Sequence, residues 1–445
     1  LSAAVTGRVM FADDVGWDAA REAFNLLLDQ HPVAVALPSN AREVAKVVEL
    51  ARERELRIAP RTTGHNAGPL GSLENTVLLD TSGLAGIDID VPSARVHVGA
   101  GTRWGEVIGP LSDAGLAALH GSSPDVGIVG YSLGGGMGWL ARKYGLQANS
   151  VTAVELVTAE GRHLRCDELH EPDLFWALRG GGGNFGVVTG IEFDVYPVAQ
   201  LYAGGMMFGF ERAADVLQVW NELLPELPEE MTTWAMLLHL PDLPFVPEPM
   251  RGGSFASVLG AFLGDEEEGR ELLRPVRNLG PAMDTFAMVA PDALGELAMD
   301  PPHPLPYLSA HQLLDGMTPA SVEALVATAD RTSNISVVQL RHTGGALARP
   351  VPGAGARATL PGRITMFALG IPGDEASAAQ LRSSLRSVES ILAPRQTGRY
   401  ASFVEEPTDT RLFFDAASWD RLCRVKRLYD PTDLFRANHH VPPSW

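Results

Sequence analysis

The chain has 445 residues, of which 45% are hydrophobic and 20% charged, as is ordinary for a soluble globular protein of two or three domains. Its net charge of −19 argues against a nucleic-acid partner and against docking on anionic membranes, because both need a basic surface. Two cysteines, Cys166 and Cys423, are too few for a disulfide framework or a metal cage, so no metal is expected.

The apolar runs of the sequence are shorter than a membrane-spanning helix requires, so no membrane segment is expected. The first five residues lack the charged and apolar regions of a signal peptide. We therefore expect a cytoplasmic protein, while the leucine at position 1 leaves open that a secretion signal preceded it.

Helices and strands alternate at the start of the chain, which is typical of an α+β or α/β layer. Asn40 is predicted to cap a helix that carries Glu43 three residues later. The apolar face of this helix comprises Val44, Val47, Val48 and Ala51. Strands are predicted at 33–37, 57–60, 76–80 and 185–196. Two hairpins are predicted to pair 87–90 with 95–98 and 151–159 with 162–166.

The composition shifts after residue 198, where strands and longer helices alternate. Predicted strands lie at 203–210, 232–239, 335–341 and 364–371, and predicted helices at 213–223, 266–279, 319–329 and 376–392. This pattern predicts a sheet with helices on one face. The proline-rich loops 241–249 and 301–306 are candidates to line a cavity, with Trp234, His239, Tyr307 and Met366 as candidate wall residues.

The last segment, 419–445, is predicted to begin as a helix that stops at Pro431. The tail that follows is predicted to be extended. Because it carries the polar run Asn438-His439-His440 between apolar residues, we expect it to meet a ligand there.

Two loops are suited to a phosphate-bearing ligand. The first is Arg61-Thr62-Thr63-Gly64-His65-Asn66, and the second is the glycine-dense segment 121–138. Backbone N–H groups in such loops, together with a guanidinium, can face an anion. Ordering both loops costs conformational entropy, which a large cofactor would offset.

Three further patterns carry weaker signals. The run Gly181–Gly186 matches G-x-G-x-x-G, but a helix precedes it and a strand follows, the reverse of a dinucleotide-binding unit. The run Gly130–Gly134 matches the G-x-S-x-G nucleophile elbow, which makes a serine hydrolase using Ser132 the alternative function. His163, Cys166 and His170 lack a fourth zinc ligand.

Several blocks of the sequence together resemble a known family. They are 61–66, 121–138, Lys143-Tyr144-Gly145-Leu146, 175–180, 184–189, and Asp430-Pro431 with 434–438. In this order they resemble the berberine-bridge-enzyme-like FAD oxidases of the vanillyl-alcohol-oxidase superfamily. The resemblance covers roughly residues 33–198 and the last thirty, and it is loose between them.

The resemblance implies an α+β fold, in which a two-part PCMH-type FAD-binding domain joins a substrate domain with an antiparallel sheet covered by helices. It places the FAD-binding domain in 1–200, the substrate domain in 201–395, and a C-terminal segment returning to the FAD domain in 396–445. His65 matches the histidine that carries the flavin through its 8α-methyl group. The other implied cofactor-binding residues are Arg61, Thr62, Thr63, Gly64, Asn66, Ser122, Ser123, Asp125, Val126, Gly127, Gly130, Tyr131, Gly134, Gly135, Gly138, Gly183, Val188, Asn438 and His440.

Three positions depart from or refine the family pattern. Many relatives carry a cysteine as a second flavin tether, but this chain has Ser123 there, so a single covalent attachment is expected. Val126 matches a position where valine leaves room for O₂, which favours an oxidase. The frequent tail pattern Asn-x-Asn is Asn438-His439-His440 here.

The implied reaction takes a hydride from a small alcohol, sugar, amine or secondary metabolite to FAD, and O₂ then reoxidises the flavin to give H₂O₂. Tyr131, Tyr400 and His342 are the candidate catalytic side chains, with Tyr131 expected to donate a hydrogen bond near the flavin. A net redox-neutral cyclisation on the same flavin stays open. The expected partners are the substrate and O₂, and the expected state is a monomer or homodimer.

Overall fold

Three larger β-sheets organise the protein, whose computed structural model describes residues 5–242 and 248–443. The predicted proline-rich loop at 241–249 therefore lies partly outside the described residues, as do the first four residues and the last two. Among the described residues, no helix has both the length and the apolar character needed to cross a bilayer.

The N-terminal sheet contains, in spatial order, Arg8–Met10, Ala34–Leu37, Thr76–Asp80 and Arg57–Arg61. The last three strands are parallel, and the helix Ala41–Glu53 connects two of them. The predicted cap of this helix is confirmed, because the Asn40 side chain accepts a hydrogen bond of 3.1 Å from the backbone N–H of Glu43. Its predicted apolar face is buried against the sheet.

The hairpin sheet follows and is antiparallel throughout. Its strands, in spatial order, are Ile87–Asp90, Arg95–Gly99, Val187–Asp194, Val151–Val157 and His163–Cys166. Both predicted hairpins are confirmed. Shorter elements surround the sheet, namely the helices Trp17–Arg21, Ile108–Asp113, Ile128–Leu133, Ala141–Tyr144 and Pro172–Gly181, and the paired strands Leu116–Ala117 and Tyr196–Pro197.

The third sheet, called the cavity sheet below, is a nine-stranded antiparallel sheet within the described residues. Its strands, in spatial order, are Met283–Asp284, Leu201–Gly209, Ser254–Phe262, Met231–His239, Val337–His342, Ile364–Gly370, Leu308–Leu314 and Gln396–Gly398, with Ala287–Val289 also paired to Leu201–Gly209. The predicted strands of this region are confirmed. Two central strands, Ser254–Phe262 and Leu308–Leu314, were absent from the prediction.

Helices cover one face of the cavity sheet, as predicted. They are Ala213–Leu223, Glu266–Leu272, Arg274–Arg277, Pro319–Thr328 and Glu375–Leu392. Successive strand residues point to opposite faces, so Val338 and Leu340 pack under the helices while Gln339 and Arg341 point the other way. The single helix predicted at 266–279 is wrong, because two helices lie there. Pro275 lies in the first turn of the second helix, Arg274–Arg277, since proline lacks the N–H that would continue the first one.

The C-terminal segment returns to the N-terminal sheet. Its helix spans Ala416–Tyr429 and begins before the predicted start at residue 419. The tail then runs beside Arg57–Arg61, where Ile58 N–H donates to Leu434 and Arg436 N–H donates to the Ile58 carbonyl. Phe435 is fully buried in the same core as the first two sheets. Both ends of the chain therefore share one core.

A buried ammonium group fixes this return. Lys426 is fully buried, and its Nζ donates to Asp430 at 2.6 Å and to the backbone carbonyls of Asn184 and Phe435 at 2.8 and 3.1 Å. The Asp430 carboxylate in turn accepts from the backbone N–H groups of Leu434 and Phe435. The charge is thus fully hydrogen-bonded between the last helix, the tail and the loop before Val187–Asp194.

We expect Lys426→Met to destabilise the protein by roughly 3–5 kcal/mol, because it leaves the Asp430 carboxylate buried without its cation. Urea unfolding followed by circular dichroism measures this change. Lys46→Met, on the exposed side of Ala41–Glu53, is the matched control and is expected to change stability by less than about 0.5 kcal/mol. Equal stability of the two variants would show that the buried ammonium does not hold the tail.

Candidate active site

A cavity of about 1380 Å³ lies between the cavity sheet and the part of the protein built on the first two sheets. Its walls include the loop 61–66, the segment 121–134, the glycines 180–183, the segments 298–307 and 400–405, the tail 436–439, and the exposed face of the cavity sheet. The cavity exceeds the volume typical of a site for one drug-sized ligand. It has room for a large ligand and a second, smaller one.

The loop 61–66 is held from behind by its own arginine. The Arg61 guanidinium donates to the backbone carbonyls of Ala20 and Glu22 and forms an ion pair of 3.1 Å with Asp80. These three partners hold the guanidinium against the protein, so its charge shapes the loop; its predicted contact with an anion stays a prediction. Gly64 has a φ of 75°, a left-handed conformation that favours glycine at this turn.

His65 lies on the cavity wall between an aromatic ring and a carboxylate. Phe24 stacks on its imidazole with ring centroids 3.8 Å apart, and His65 Nε2 lies 2.9 Å from Asp125 Oδ2. The Ser123 hydroxyl donates to the other Asp125 oxygen at 2.9 Å. Burial acts to raise the pKa of Asp125, but the hydrogen bonds from His65 and the Ser123 hydroxyl help to outweigh burial and hold that pKa below its usual value.

Asn66 and Asn438 join the loop to two distant segments. The Asn66 side-chain amide donates to three backbone carbonyls, those of Ala401, Ser402 and Val404. The Asn438 amide donates to the backbone carbonyl of Asn66. The loop carrying His65 is therefore fixed by hydrogen bonds from both sides.

Two wall glycines leave their surroundings open. A Cβ atom added at Gly130 or Gly183 would meet no protein atom within 4 Å, although both residues line the cavity. Gly127 differs, because a Cβ there would lie 3.0 Å from Thr62. The wall thus presents bare backbone to the cavity at Gly130 and Gly183, which lets a ligand approach closely.

Tyr400 and Tyr131 both line the cavity, but their hydroxyl groups differ. Tyr131 donates its proton to the Leu119 carbonyl at 3.0 Å, so in this structure that proton is not free for the expected donation toward a flavin. Tyr400 Oη accepts the Gly136 N–H at 2.8 Å, and within the described residues it donates to no backbone carbonyl. Burial raises the pKa of both phenols, so both are neutral near pH 7.

A carboxyl and a phenol form a second polar group on the wall. The Tyr307 hydroxyl donates to Glu405 Oε1 at 2.6 Å and lies 3.5 Å from the His65 carbonyl. The other oxygen, Oε2, is buried and has no hydrogen-bond partner within the described part of the chain. Burial raises the pKa of Glu405 to about 7, and the hydrogen bonds from Tyr307 and Asn25 only partly oppose it.

Comparisons with known proteins identify the group that such a cavity holds. The FAD binding domain family matches residues 32–167. (R)-6-hydroxynicotine oxidase of Paenarthrobacter nicotinovorans is 27% identical over 99% of this chain and 97% of its own length. The crystal structure of 6-hydroxy-D-nicotine oxidase from Arthrobacter nicotinovorans is 26% identical and superposes with a TM-score of 0.85 over 99% of this chain and 98% of its own.

The chain is an FAD-linked oxidoreductase with an FAD binding domain. Berberine bridge enzyme from Eschscholzia californica shares the fold, with a TM-score of 0.83 at 20% identity over 98% of this chain and 97% of its own. The predicted family and α+β fold class are thereby confirmed.

The cavity of this FAD-linked oxidoreductase fits the cofactor. FAD needs a long cleft, backbone N–H groups for its phosphates and a bare surface beside its rings. The cavity volume and the open positions at Gly130 and Gly183 meet these needs.

Most predicted site residues line this one cavity. They are Arg61, Thr62, Thr63, Gly64, His65, Asn66, Ser122, Ser123, Val126, Gly127, Gly130, Tyr131, Gly134, Gly183, Val188, Tyr400 and Asn438. Of the candidate wall residues, His239 and Tyr307 line it, whereas Trp234 stacks on Trp139 and Met366 lies in the core under the helices. Pro301 and Pro302 also line the cavity.

Four predicted cofactor-binding residues lie behind the wall. Asp125 contacts His65 rather than the cavity. A Cβ at Gly138 would fall 1.7 Å from the His120 carbonyl oxygen, and one at Gly135 would press on Tyr400, so both glycines serve close packing. His440 lies 3.4 Å from Asp433, and its neighbour His439 lines the cavity instead.

His342, a predicted catalytic residue, is not among the residues that line the cavity. Strand alternation turns it away from Arg341, which lines the cavity. His342 Nε2 accepts from Arg142 at 2.7 Å, and burial, together with the charge of that arginine, lowers the pKa of His342 to about 2. His342 is therefore a neutral acceptor that helps to hold a buried guanidinium.

The nucleophile elbow predicted at Ser132 is not formed. Ser132 lies within the helix Ile128–Leu133, and its hydroxyl donates to the Ile128 carbonyl at 2.8 Å. A nucleophile elbow requires a strand before the serine and exposes the hydroxyl at a tight turn. Ser132 is 1% exposed, so the hydrolase alternative has no site.

Two wall residues that the sequence did not single out are Glu405 and Gln339. Glu405 lies five positions after the predicted residue Tyr400, and this closeness in sequence was a weak signal for it. Gln339 lies two residues before Arg341, and strand alternation was the available signal.

We expect Glu405→Gln to change how stability depends on pH. The usual pKa of this carboxyl is 4.5 and the folded value is about 7, so the folded protein keeps a proton that the unfolded chain releases between these pH values. Stability of the wild type therefore falls as pH rises through this window, and the variant lacks that loss. Melting temperatures from pH 4 to 8 measure it, with Glu406→Gln, an exposed neighbour, as control. Parallel profiles for wild type and Glu405→Gln would contradict the raised pKa.

Proposed function

We propose that this chain is an FAD-dependent oxidase whose flavin is bound covalently to His65. It transfers a hydride from a small organic substrate to FAD, and O₂ reoxidises the flavin to give H₂O₂. The observation that carries the proposal is the His65–Asp125 pair on the wall of a cavity that fits FAD.

The pair favours one reactive nitrogen on His65. The ionised Asp125 carboxylate accepts the Nε2 proton, which fixes the imidazole tautomer with its lone pair on Nδ1. His65 Nδ1 makes no hydrogen bond to residues 5–242 or 248–443. A carboxylate on the far nitrogen also makes an imidazole more basic. Nδ1 is therefore the nitrogen through which His65 would hold the flavin.

A single covalent link is part of the proposal. The residue in the position of the second tether is Ser123, whose hydroxyl donates to Asp125. A hydroxyl is a much weaker nucleophile than a thiolate. Ser123 thus supports the carboxylate that orients His65 and does not itself attach.

Different parts of the chain would bind the cofactor and the substrate. Residues 1–200 and 396–445 bind FAD through the loop 61–66, the segment 121–134 and the tail, and residues 201–395 supply the substrate wall. Bound FAD supplies hydride acceptance and reoxidation by O₂. The Tyr400 hydroxyl donates to no backbone carbonyl within the described residues, so it would hydrogen-bond the oxygen or nitrogen beside the reacting carbon and hold that carbon in position for hydride transfer.

A His65→Ala variant tests the covalent link. Wild-type protein is expected to be yellow and to give a fluorescent band on a denaturing gel under ultraviolet light in acid, while His65→Ala gives none. We expect Asp125→Asn to slow attachment by roughly tenfold or more, since a hydrogen bond to a charged group is worth about 1.5–3 kcal/mol. His163→Ala, in the hairpin sheet, is the control and should keep the band.

Peroxide release upon addition of alcohols, sugars or amines then tests the oxidase assignment. A colourless protein that takes up no added FAD would overturn the proposed function. Yellow protein with a dark band would overturn the covalent link alone.

Tyr400→Phe is expected to slow flavin reduction by roughly 10²-fold, measured anaerobically with the first substrate that releases peroxide, because the hydroxyl that positions the reacting group is removed. Tyr131→Phe is the matched control, because the Tyr131 hydroxyl donates to the Leu119 carbonyl. The effect of this variant on flavin reduction should be much smaller. Equal rates in the two variants would remove Tyr400 from the reaction.

A further inference from the structure

We propose, resting on the function proposed above, that the substrate is an apolar molecule carrying a carboxylate, and that Arg341 binds this carboxylate. The guanidinium of Arg341 is buried on the cavity face of the sheet and forms no salt bridge with the described residues. Arg341 belongs to the strand Val337–His342 and is 6% exposed, with its side chain on the cavity face.

Two aromatic rings and one amide position the guanidinium. Its carbon lies 4.0 Å from the ring centroid of Trp234 and 4.8 Å from that of Phe403. Gln339 Oε1 accepts from Arg341 Nε at 3.1 Å and from Nη2 at 2.5 Å. Trp234 is itself stacked on Trp139, so the group is held in one orientation before any ligand binds.

The guanidinium lacks an anionic partner. Across residues 5–242 and 248–443 it forms no salt bridge, and its Nη1 donates no hydrogen bond. Burial lowers the pKa of Arg341 to about 10, which still leaves it charged near neutral pH. A buried charge without a partner is costly, and an arriving carboxylate would remove that cost. The planar fork of arginine matches a carboxylate in geometry.

Neighbouring charges do not supply the missing anion. Asp300 is the acidic residue whose charge acts most strongly on Arg341, but within the described residues it forms no salt bridge with Arg341, and its Oδ2 accepts from the Ser122 hydroxyl at 2.5 Å. Arg357 is a second buried guanidinium, 6.0 Å from the Tyr400 ring, and it adds further positive charge to this side. The local field therefore favours an anion beside Tyr400.

Apolar side chains make up much of the cavity face of the same sheet. Phe367 lies 5.2 Å from Phe403, and Met236, Leu238, Val337 and Leu369 continue the surface along the sheet. An aryl or alkyl body would pack there while its carboxylate meets Arg341. The substrate class is thus an apolar carboxylic acid with an oxidisable C–H bond next to an oxygen or nitrogen.

Binding of phenylacetate and phenylacetamide to the purified holoenzyme tests the proposal. The two probes share shape and differ in charge. By calorimetry and by the change in flavin absorbance, wild type is expected to bind phenylacetate at least tenfold more tightly than phenylacetamide. Arg341→Gln should abolish this preference, and Arg341→Lys should keep part of it, because lysine retains the charge without the fork. Arg331→Gln, whose guanidinium donates to the Gly252 carbonyl at the cavity rim, is the control and should keep it.

Equal binding of the two probes by wild type would overturn the proposal without any variant. An unchanged preference for phenylacetate in Arg341→Gln would also overturn the proposal. So would an unchanged phenylacetate affinity together with a changed flavin spectrum in that variant, because this result would assign Arg341 to the cofactor. Failure of the proposed function is seen separately, as protein without flavin absorbance, and calorimetry still reports binding in that case.

Discussion

The buried Lys426 ammonium is the interaction on which the site depends. It joins the last helix, the tail and the loop before Val187–Asp194 through one charge that is fully hydrogen-bonded. Because the tail is fixed in this way, Asn438 reaches Asn66 and His439 reaches the cavity wall. Asn66 then ties the loop carrying His65 to the segment that follows Tyr400. A buried charge in the C-terminal segment thus helps to set the position of the loop that carries His65.

The two walls of the cavity are built by different physical means. One wall is polar backbone and bare glycine, held by side chains such as Arg61 and Asn66 that hydrogen-bond to the protein. The other wall is one face of a sheet, where strand alternation separates Gln339 and Arg341 from the residues under the helices. Under the proposed function, substitutions on the sheet face would change specificity without disturbing the wall that binds the cofactor.

Much of the fold could be predicted from the sequence because local rules and tertiary packing agree there. The Asn40 cap, both hairpins and most strands of the cavity sheet follow from capping residues and apolar periodicity. Ser254–Phe262 and Leu308–Leu314 escaped prediction, because their alanine, glycine, serine and histidine residues lack the β-branched pattern and only central burial makes them strands. The residues facing the cavity could be predicted as blocks, by resemblance, but not singly. Asp125, His342 and Ser132 show why, since each carries suitable chemistry yet has its side chain occupied by a protein partner.

The central claim is that the imidazole of His65, oriented by Asp125, carries the flavin through Nδ1. Tandem mass spectrometry of the proteolytic peptide containing His65, from protein purified without added cofactor, tests it most directly. The account predicts a peptide that is heavier by one covalently bound FAD, with fragment ions placing the added mass on His65. An unmodified peptide from yellow protein, or a flavin found on another residue, would contradict it.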